Sequence, residues 1–261
     1  MRNPDRRVHR EVVSYVRRSA RMNPSQQKAW DTLADTLIVD VPPRELSTSV
    51  HPDARVDWAA TFGRTAPLFV EIGSGRGEAL VALAARHPEA NLVAFEVFQP
   101  AVASTLSRIR RAGVTNVRVV MANGVEGLDH LFAPASITEL WTFFPDPWHK
   151  PRHHKRRIVS SAFAALVASR LTPGGVWRLA TDWTEYAEAM RATLDAAPGL
   201  RNLHADWAPR FADRPLTKYE SRGLAAGRTV HDLSYGHSSA ITATDDLVHR
   251  TPRADGTGVP L

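Results

Sequence analysis

From Pro67 to Ala196 the chain alternates short apolar runs with helix-like stretches, and no other feature constrains its fold as strongly. Residues 68–72 (LFVEI) read as a buried strand, 78–86 as an alanine-rich helix, 91–97 as a second strand and 100–112 as a second helix. Strands at 117–122, 137–144 and 176–180 and helices at 157–171 and 184–196 continue the pattern, with Pro173, Gly174 and Gly175 as a stop signal. Strands separated by helices favour a parallel sheet in a doubly wound, Rossmann-like α/β fold with helices on both faces. Such a sheet binds its ligands beyond the carboxyl ends of its strands. Glu71, Glu96, Asn123, Asp146 and Asp182 each stand at or just past one of those ends.

The 261 residues suffice for one large domain. We expect a basic N-terminal extension over 1–66, with a helical stretch at 26–37, then the α/β domain over 67–235. A polar, patternless tail is expected over 236–261, disordered or an appendage. The net charge is +6 and unevenly spread. Arg2, Arg6, Arg7, Arg10, Arg17, Arg18, Arg21 and Lys28 crowd the N-terminus, and residues 150–157 form a second cluster. Two basic patches suit a phosphate backbone, although a solvated basic face has the same composition. The absence of cysteine excludes disulfides and thiolate metal sites and fits a cytoplasmic setting. No apolar run approaches the roughly 18 residues of a membrane span.

Gly73, Ser74, Gly75, Arg76 and Gly77 follow the first strand and open the first helix, so their backbone can approach a ligand closely. A dinucleotide fingerprint would place a third glycine where Glu78 stands, and would avoid an acid such as Glu71 beside a pyrophosphate. An acid there attracts a cation instead. S-Adenosylmethionine carries an ammonium and a sulfonium and no phosphate, which selects it by charge. Glu96 is placed to accept two ribose hydroxyls, a role that nicotinamide cofactors also assign to an acid.

The run 143–157 (FFPDPWHKPRHHKRR) fixes one carboxylate, Asp146, between two prolines and then turns densely basic. A rigid acid beside a basic strip suits a site that grips a polyanion near a small-molecule pocket. His149, His153 and His154 lack a helical frame and have cationic neighbours, so no metal is expected. Trp141, Trp148 and Trp183 read as packing residues, Trp148 being also a candidate base-stacking platform.

These motifs together resemble the single-chain bacterial tRNA (guanine-N7-)-methyltransferases, over about residues 10–235. The resemblance rests on 70–77 (VEIGSGRG), 95–97 (FEV), 143–157, 180–183 (ATDW) and 214–223 (RPLTKYESRG), with 15–27 similar to a basic N-terminal segment. It implies methyl transfer from S-adenosylmethionine to N7 of a guanine in the variable loop of tRNA. It further implies cofactor contacts at Glu71, Gly73, Gly75, Glu96, Asn123 and Asp146, and substrate contacts at Lys150, Asp182, Thr217, Lys218, Tyr219 and Glu220. Ser74 stands where the family more often has an aromatic. Asn123 replaces the family's usual aspartate near the adenine amine, which removes the charge-assisted part of a hydrogen bond, roughly 1 kcal/mol.

Guanine N7 is a lone-pair acceptor with no proton to remove, so methylation needs alignment rather than a general base. Positive charge passes to the purine, and a nearby carboxylate would stabilise it. Asp182 is the leading catalytic candidate, with Glu220 helping to orient the base. On pattern alone Asp182 would serve equally well as the N-cap of the helix from Thr184. Residues 217–220 would likewise read as a solvated hairpin. Lys150, Arg152, Lys155, Arg156 and Arg157 are expected at phosphates. The alternatives are the same fold acting on another RNA, and a tRNA-binding protein with little turnover.

Overall fold

A computed structural model describes residues 21–238. The basic residues up to Arg18, Tyr15 and the tail from 239 lie outside the described residues. In chain order the elements are α1 (Pro24–Leu37), β1 (Ile38–Val39), α2 (Trp58–Phe62), β2 (Leu68–Ile72), α3 (Glu78–Arg86), β3 (Asn91–Phe95), α4 (Gln99–Ala112) and β4 (Val117–Val120). There follow α5 (Gly124–Leu131), β5 (Ile137–Phe143), a 3-10 turn (Pro151–Arg156), α6 (Ser161–Arg170), β6 (Leu171–Thr181), α7 (Thr184–Asp195), β7 (Leu200–Asn202), α8 (Lys218–Ala225) and β8 (His231–His237).

The eight strands form one sheet in the order β1-β4-β3-β2-β5-β6-β8-β7. All neighbours from β1 to β6 are parallel, whereas β8 runs antiparallel to both β6 and β7. Alternation along each strand divides the core between two faces. Val70, Ile72, Val93 and Phe95 pack with α5, α6 and α7 through Leu128, Phe163, Val167, Tyr186 and Met190. Phe69, Leu92, Ala94 and Trp141 pack with α1, α3 and α4 through Leu37, Leu80, Leu83, Val102 and Leu106. The sheet is therefore the doubly wound, Rossmann-like one expected. The order reverses at β2, which pairs with β3 on one side and β5 on the other, and the carboxyl ends of that pair frame the site.

Several boundaries move. Residues 24–66 are not an extension but part of the layers. Gln26 Nε2 donates to Pro100 O at 2.8 Å and Ser104 Oγ at 3.0 Å, tying α1 to α4. Trp58 is buried on Phe132, and its Nε1 donates to Leu131 O at 2.9 Å. At the other end, β8 takes in Gly236 and His237, where a patternless tail was expected. The helix expected from 157 begins at Ser161, because Ser160 caps it by accepting from Phe163 N. The helix ends at Arg170, just ahead of the proline and glycines at 173–175 as expected, but those three residues lie within β6, where the β5–β6 register shifts.

Candidate active site

A cavity of about 630 Å³ opens where β2 and β5 end. Its walls come from the glycine loop, the ends of β3 and β4, the turn after β5, and the first turns of α8. Glu71, Gly73, Gly75, Glu96, Asn123, Asp146, Thr217, Lys218 and Tyr219 all line it, which brings nine of the expected site residues into one space.

Backbone geometry makes the loop what it is. Gly75 and Gly77 have φ of 55° and 73°, in the left-handed region that favours glycine. At Gly77 a Cβ would also lie 2.6 Å from Thr105 Cγ2, so the Thr105 side chain of α4 packs directly on the backbone at the start of α3. Gly73 N–H donates to Phe95 O at 2.9 Å, which pins the start of the loop to β3.

The acids differ in their surroundings. Glu71 is 3% exposed, and its Oε2 is buried with no hydrogen-bond partner. Burial, followed by the charge of Glu96, pushes its carboxyl up to about 8. A buried carboxylate oxygen left unsatisfied on a cavity wall fits a cationic group and opposes a phosphate. Glu96 accepts from Gly75 N at 2.8 Å through Oε2, and from Val97 N and Phe98 N through Oε1. Its carboxylate is thereby fixed to the loop. Asn123 caps α5, accepting from Val125 N at 2.9 Å. Asparagine and aspartate cap equally well, so the replacement leaves the local fold unharmed.

Asp146 follows β5 on a strained turn. Phe144 and Trp148, on either side, have φ of 51° and 44°, a region that costs non-glycine residues about 1–3 kcal/mol each. The turn is clamped from several directions. Phe144 N donates to Ala180 O at 2.7 Å, and Arg157 Nε donates to Pro147 O at 2.9 Å. Arg156 lies over the Trp148 ring at 4.5 Å. Arg157 also pairs with Glu185 and stacks on Tyr186, so it braces the turn instead of facing phosphate as expected. Its contact lowers the Glu185 carboxyl, chiefly through that hydrogen bond. Lys150, Arg152 and Lys155 are exposed on the 3-10 turn or its cap.

Asp182, Lys150 and Glu220 do not line the cavity. Asp182 follows β6, and its Oδ2 accepts from Arg228 Nε at 2.8 Å. It is not a helix cap, since Trp183 holds that position before α7. A Cβ on Gly223 would come 2.5 Å from Asp182 Oδ2, so α8 rests directly against it.

Residues 217–220 form the start of α8, not a solvated hairpin, with Thr217 as N-cap accepting from Glu220 N. Glu220, expected to help orient the base, is 1% exposed and faces its guanidinium partners. Both its oxygens accept from Arg210 and Arg214, and Arg214 continues to Asp232. Burial alone would raise the Glu220 carboxyl, but these guanidinium bonds outweigh it and hold the pKa low. Arg214 also stands over Phe143 and Phe144 at 5.1 and 5.5 Å, linking α8 to the strained turn.

Arg21, Gln26, Arg76, Phe98, Thr142, Ile158 and Arg222 also line the cavity without having been singled out for it. Arg76 lay within the glycine motif and Arg222 within the 214–223 run, which was the available signal. Among the described residues no cluster of three or more metal-ligating side chains occurs, and no helix is long and apolar enough to cross a membrane.

Residues 65–233 match the family model described as "Putative methyltransferase". The tRNA (guanine-N(7)-)-methyltransferase of Cutibacterium acnes is 58% identical, over 88% of this chain and 84% of that one. Proteins of the same name from Nocardioides sp. and Pseudomonas fluorescens are 49% and 43% identical, covering 90% and 88% of this chain and 91% and 92% of their own. The crystal structure of the 16S rRNA methyltransferase KamB superposes with a TM-score of 0.53 at 16% identity, over 71% of this chain and 96% of that one, a likeness of fold.

Proposed function

The chain belongs to the tRNA (guanine-N(7)-)-methyltransferase family, and on that premise we propose how its own residues serve methyl transfer from S-adenosylmethionine to N7 of a guanine in tRNA. The nucleotide is one of the variable loop. The observation that carries the assignment of the cavity is the buried, unpartnered Oε2 of Glu71 beside the glycine loop. It fits the donor's ammonium.

S-Adenosylmethionine supplies an electrophilic methyl group on a sulfonium, along with an ammonium, two ribose hydroxyls and an adenine amine. Glu71 holds the ammonium. Glu96, fixed by three backbone amides, meets the ribose hydroxyls. Asn123 meets the adenine edge, and Gly73 and Gly75 allow close backbone approach. Asp146, on its clamped turn, faces the cavity beside the donor.

Guanine N7 offers a lone pair and no proton, so the chain's task is to hold that nitrogen in line. Lys150, Thr217, Lys218 and Tyr219 contact the RNA nucleotide. Asp182, steadied by Arg228, compensates the positive charge that arrives on the purine. Glu220 acts through Arg210 and Arg214, keeping the start of α8 in place.

Two unmodified tRNA transcripts test the function, one with guanine and one with 7-deazaguanine at the target position, each incubated with radiolabelled S-adenosylmethionine. Label in the first and none in the second is expected. Equal label in both would move the target elsewhere, and none in either would leave a tRNA-binding protein without turnover.

A further inference from the structure

The cavity is layered in charge. Glu71, Glu96 and Asp146 line it, and so do the exposed cations Arg21, Arg76, Lys218 and Arg222. Nearby cations are neutralised: Arg108 by Glu78, Arg157 by Glu185, Arg210 and Arg214 by Glu220, and Arg228 by Asp182. The side chains of Arg76, Lys218 and Arg222 have no carboxylate partner among the described residues.

The methyl donor offers one carboxylate, which a single cation satisfies, and is otherwise cationic, so the remaining charges at the rim serve a different ligand. Every nucleotide of an RNA carries a phosphodiester on each side. A guanine entering the cavity leaves those phosphates at the mouth, within the domain of the exposed cations. At the start of α8 the Lys218 amide already donates to Glu78 Oε2 at 2.7 Å, and the Glu220 amide to Thr217 Oγ1. The exposed side chains are the better anion ligands, and guanidinium groups suit phosphate by their paired donors.

We propose that Arg76 of the glycine loop and Arg222 of α8, with Lys218 at the start of the same helix, bind the phosphodiesters flanking the target guanosine. This rests on the reading that the cavity methylates a guanine in tRNA. The rim differs from the strip at 150–157, which lies on a separate turn after β5.

The test measures binding of an unmodified tRNA transcript against salt concentration, with S-adenosylhomocysteine present, for wild type, Arg76→Gln, Arg222→Gln, the double variant and Arg111→Gln. Arg111 is an exposed cation in the last turn of α4 and controls for net charge. Each rim variant is expected to flatten the log–log salt slope by about 0.7–0.9, the double variant by the sum, with S-adenosylhomocysteine affinity unchanged. Slopes indistinguishable from Arg111→Gln, in a wild type that methylates tRNA, would overturn the rim alone. Loss of S-adenosylhomocysteine affinity with an unaltered slope would also overturn it, by placing the arginines at the cofactor. A wild type whose tRNA affinity ignores salt would overturn both the rim and the reading beneath it.

Discussion

Glu78 and Lys218, 140 positions apart, are joined by a hydrogen bond in which the Lys218 backbone N–H donates to Glu78 Oε2 at 2.7 Å. The other carboxylate oxygen accepts from Arg108 at 3.0 Å. Glu78 opens α3 directly after the glycine loop, and Lys218 opens α8, so one carboxylate ties the glycine loop to the start of α8. A negative charge at the start of a helix also opposes its dipole favourably. The position that rules out a dinucleotide fingerprint is thus the point at which two distant motifs are registered.

If that bond positions α8, Glu78→Ala should raise the KM for tRNA by about 3–10-fold, the worth of one partly exposed charge-assisted bond. S-Adenosylmethionine affinity should move much less. Glu78→Gln keeps an acceptor oxygen and should recover most of the loss. Steady-state kinetics on the three proteins check this; failure of glutamine to rescue would mean that charge, not position, matters.

Glu71 makes binding depend on pH. Its carboxyl sits at about 8 in the folded chain against an ordinary 4.5, because burial and then Glu96 disfavour its charge. Between those values the folded chain holds a proton that the unfolded chain has released. Stability of the ligand-free protein should therefore fall as pH rises from about 4.5 to about 8. Glu71→Gln should flatten that dependence while weakening the cationic donor at pH 8. Melting temperatures across this range, with and without S-adenosylmethionine, check both halves.

Much of this was legible in sequence because parallel strands and their helices are local patterns. Buried strands read as apolar runs, and the acids at their ends follow from topology. β8 escaped notice because HDLSYGH carries glycine, serine and histidines and is buried only by pairing with β6 and β7. Glu220 was misplaced for a related reason. Its neighbours in sequence point to a substrate loop, whereas its partners Arg210, Arg214 and, through Arg214, Asp232 are set by tertiary packing. The rigidity around Asp146 was visible in the two prolines. The left-handed Phe144 and Trp148 were not, since contacts to Ala180 and Arg156 hold them.

Asp182 lies off the cavity, against Gly223 and paired with Arg228. Its proposed part is electrostatic, so Asp182→Ala should lower kcat about 100-fold or more while S-adenosylmethionine affinity changes little. Asp182→Asn keeps the shape and loses the charge, and should resemble alanine in kcat. Arg228→Gln should lower kcat less than either, because it frees the carboxylate without removing it. Single-turnover rates with saturating donor separate these cases; an asparagine variant at wild-type rate would remove the charge of Asp182 from the mechanism.

Arg214 carries the largest structural consequence. Its side chain is fully buried, its guanidinium is shared between Glu220 and Asp232, and its face lies over Phe143 and Phe144. Removing one partner from a buried ion cluster strands the others, at a cost of about 3–5 kcal/mol. Arg214→Met leaves Asp232 without its guanidinium partner and Glu220 with Arg210 alone. It should lower the urea midpoint by a corresponding amount. Arg214→Lys keeps the charge but lacks the flat fork that spans both carboxylates, and should recover only part of it. Because the cluster joins α8 to the turn bearing Asp146, the lysine variant should still lose tRNA turnover under conditions where it is fully folded. Circular dichroism in urea, paired with methyl transfer at low denaturant, distinguishes a merely weakened fold from a displaced substrate wall. Full activity in folded Arg214→Lys would show that the cluster stabilises α8 without setting its position.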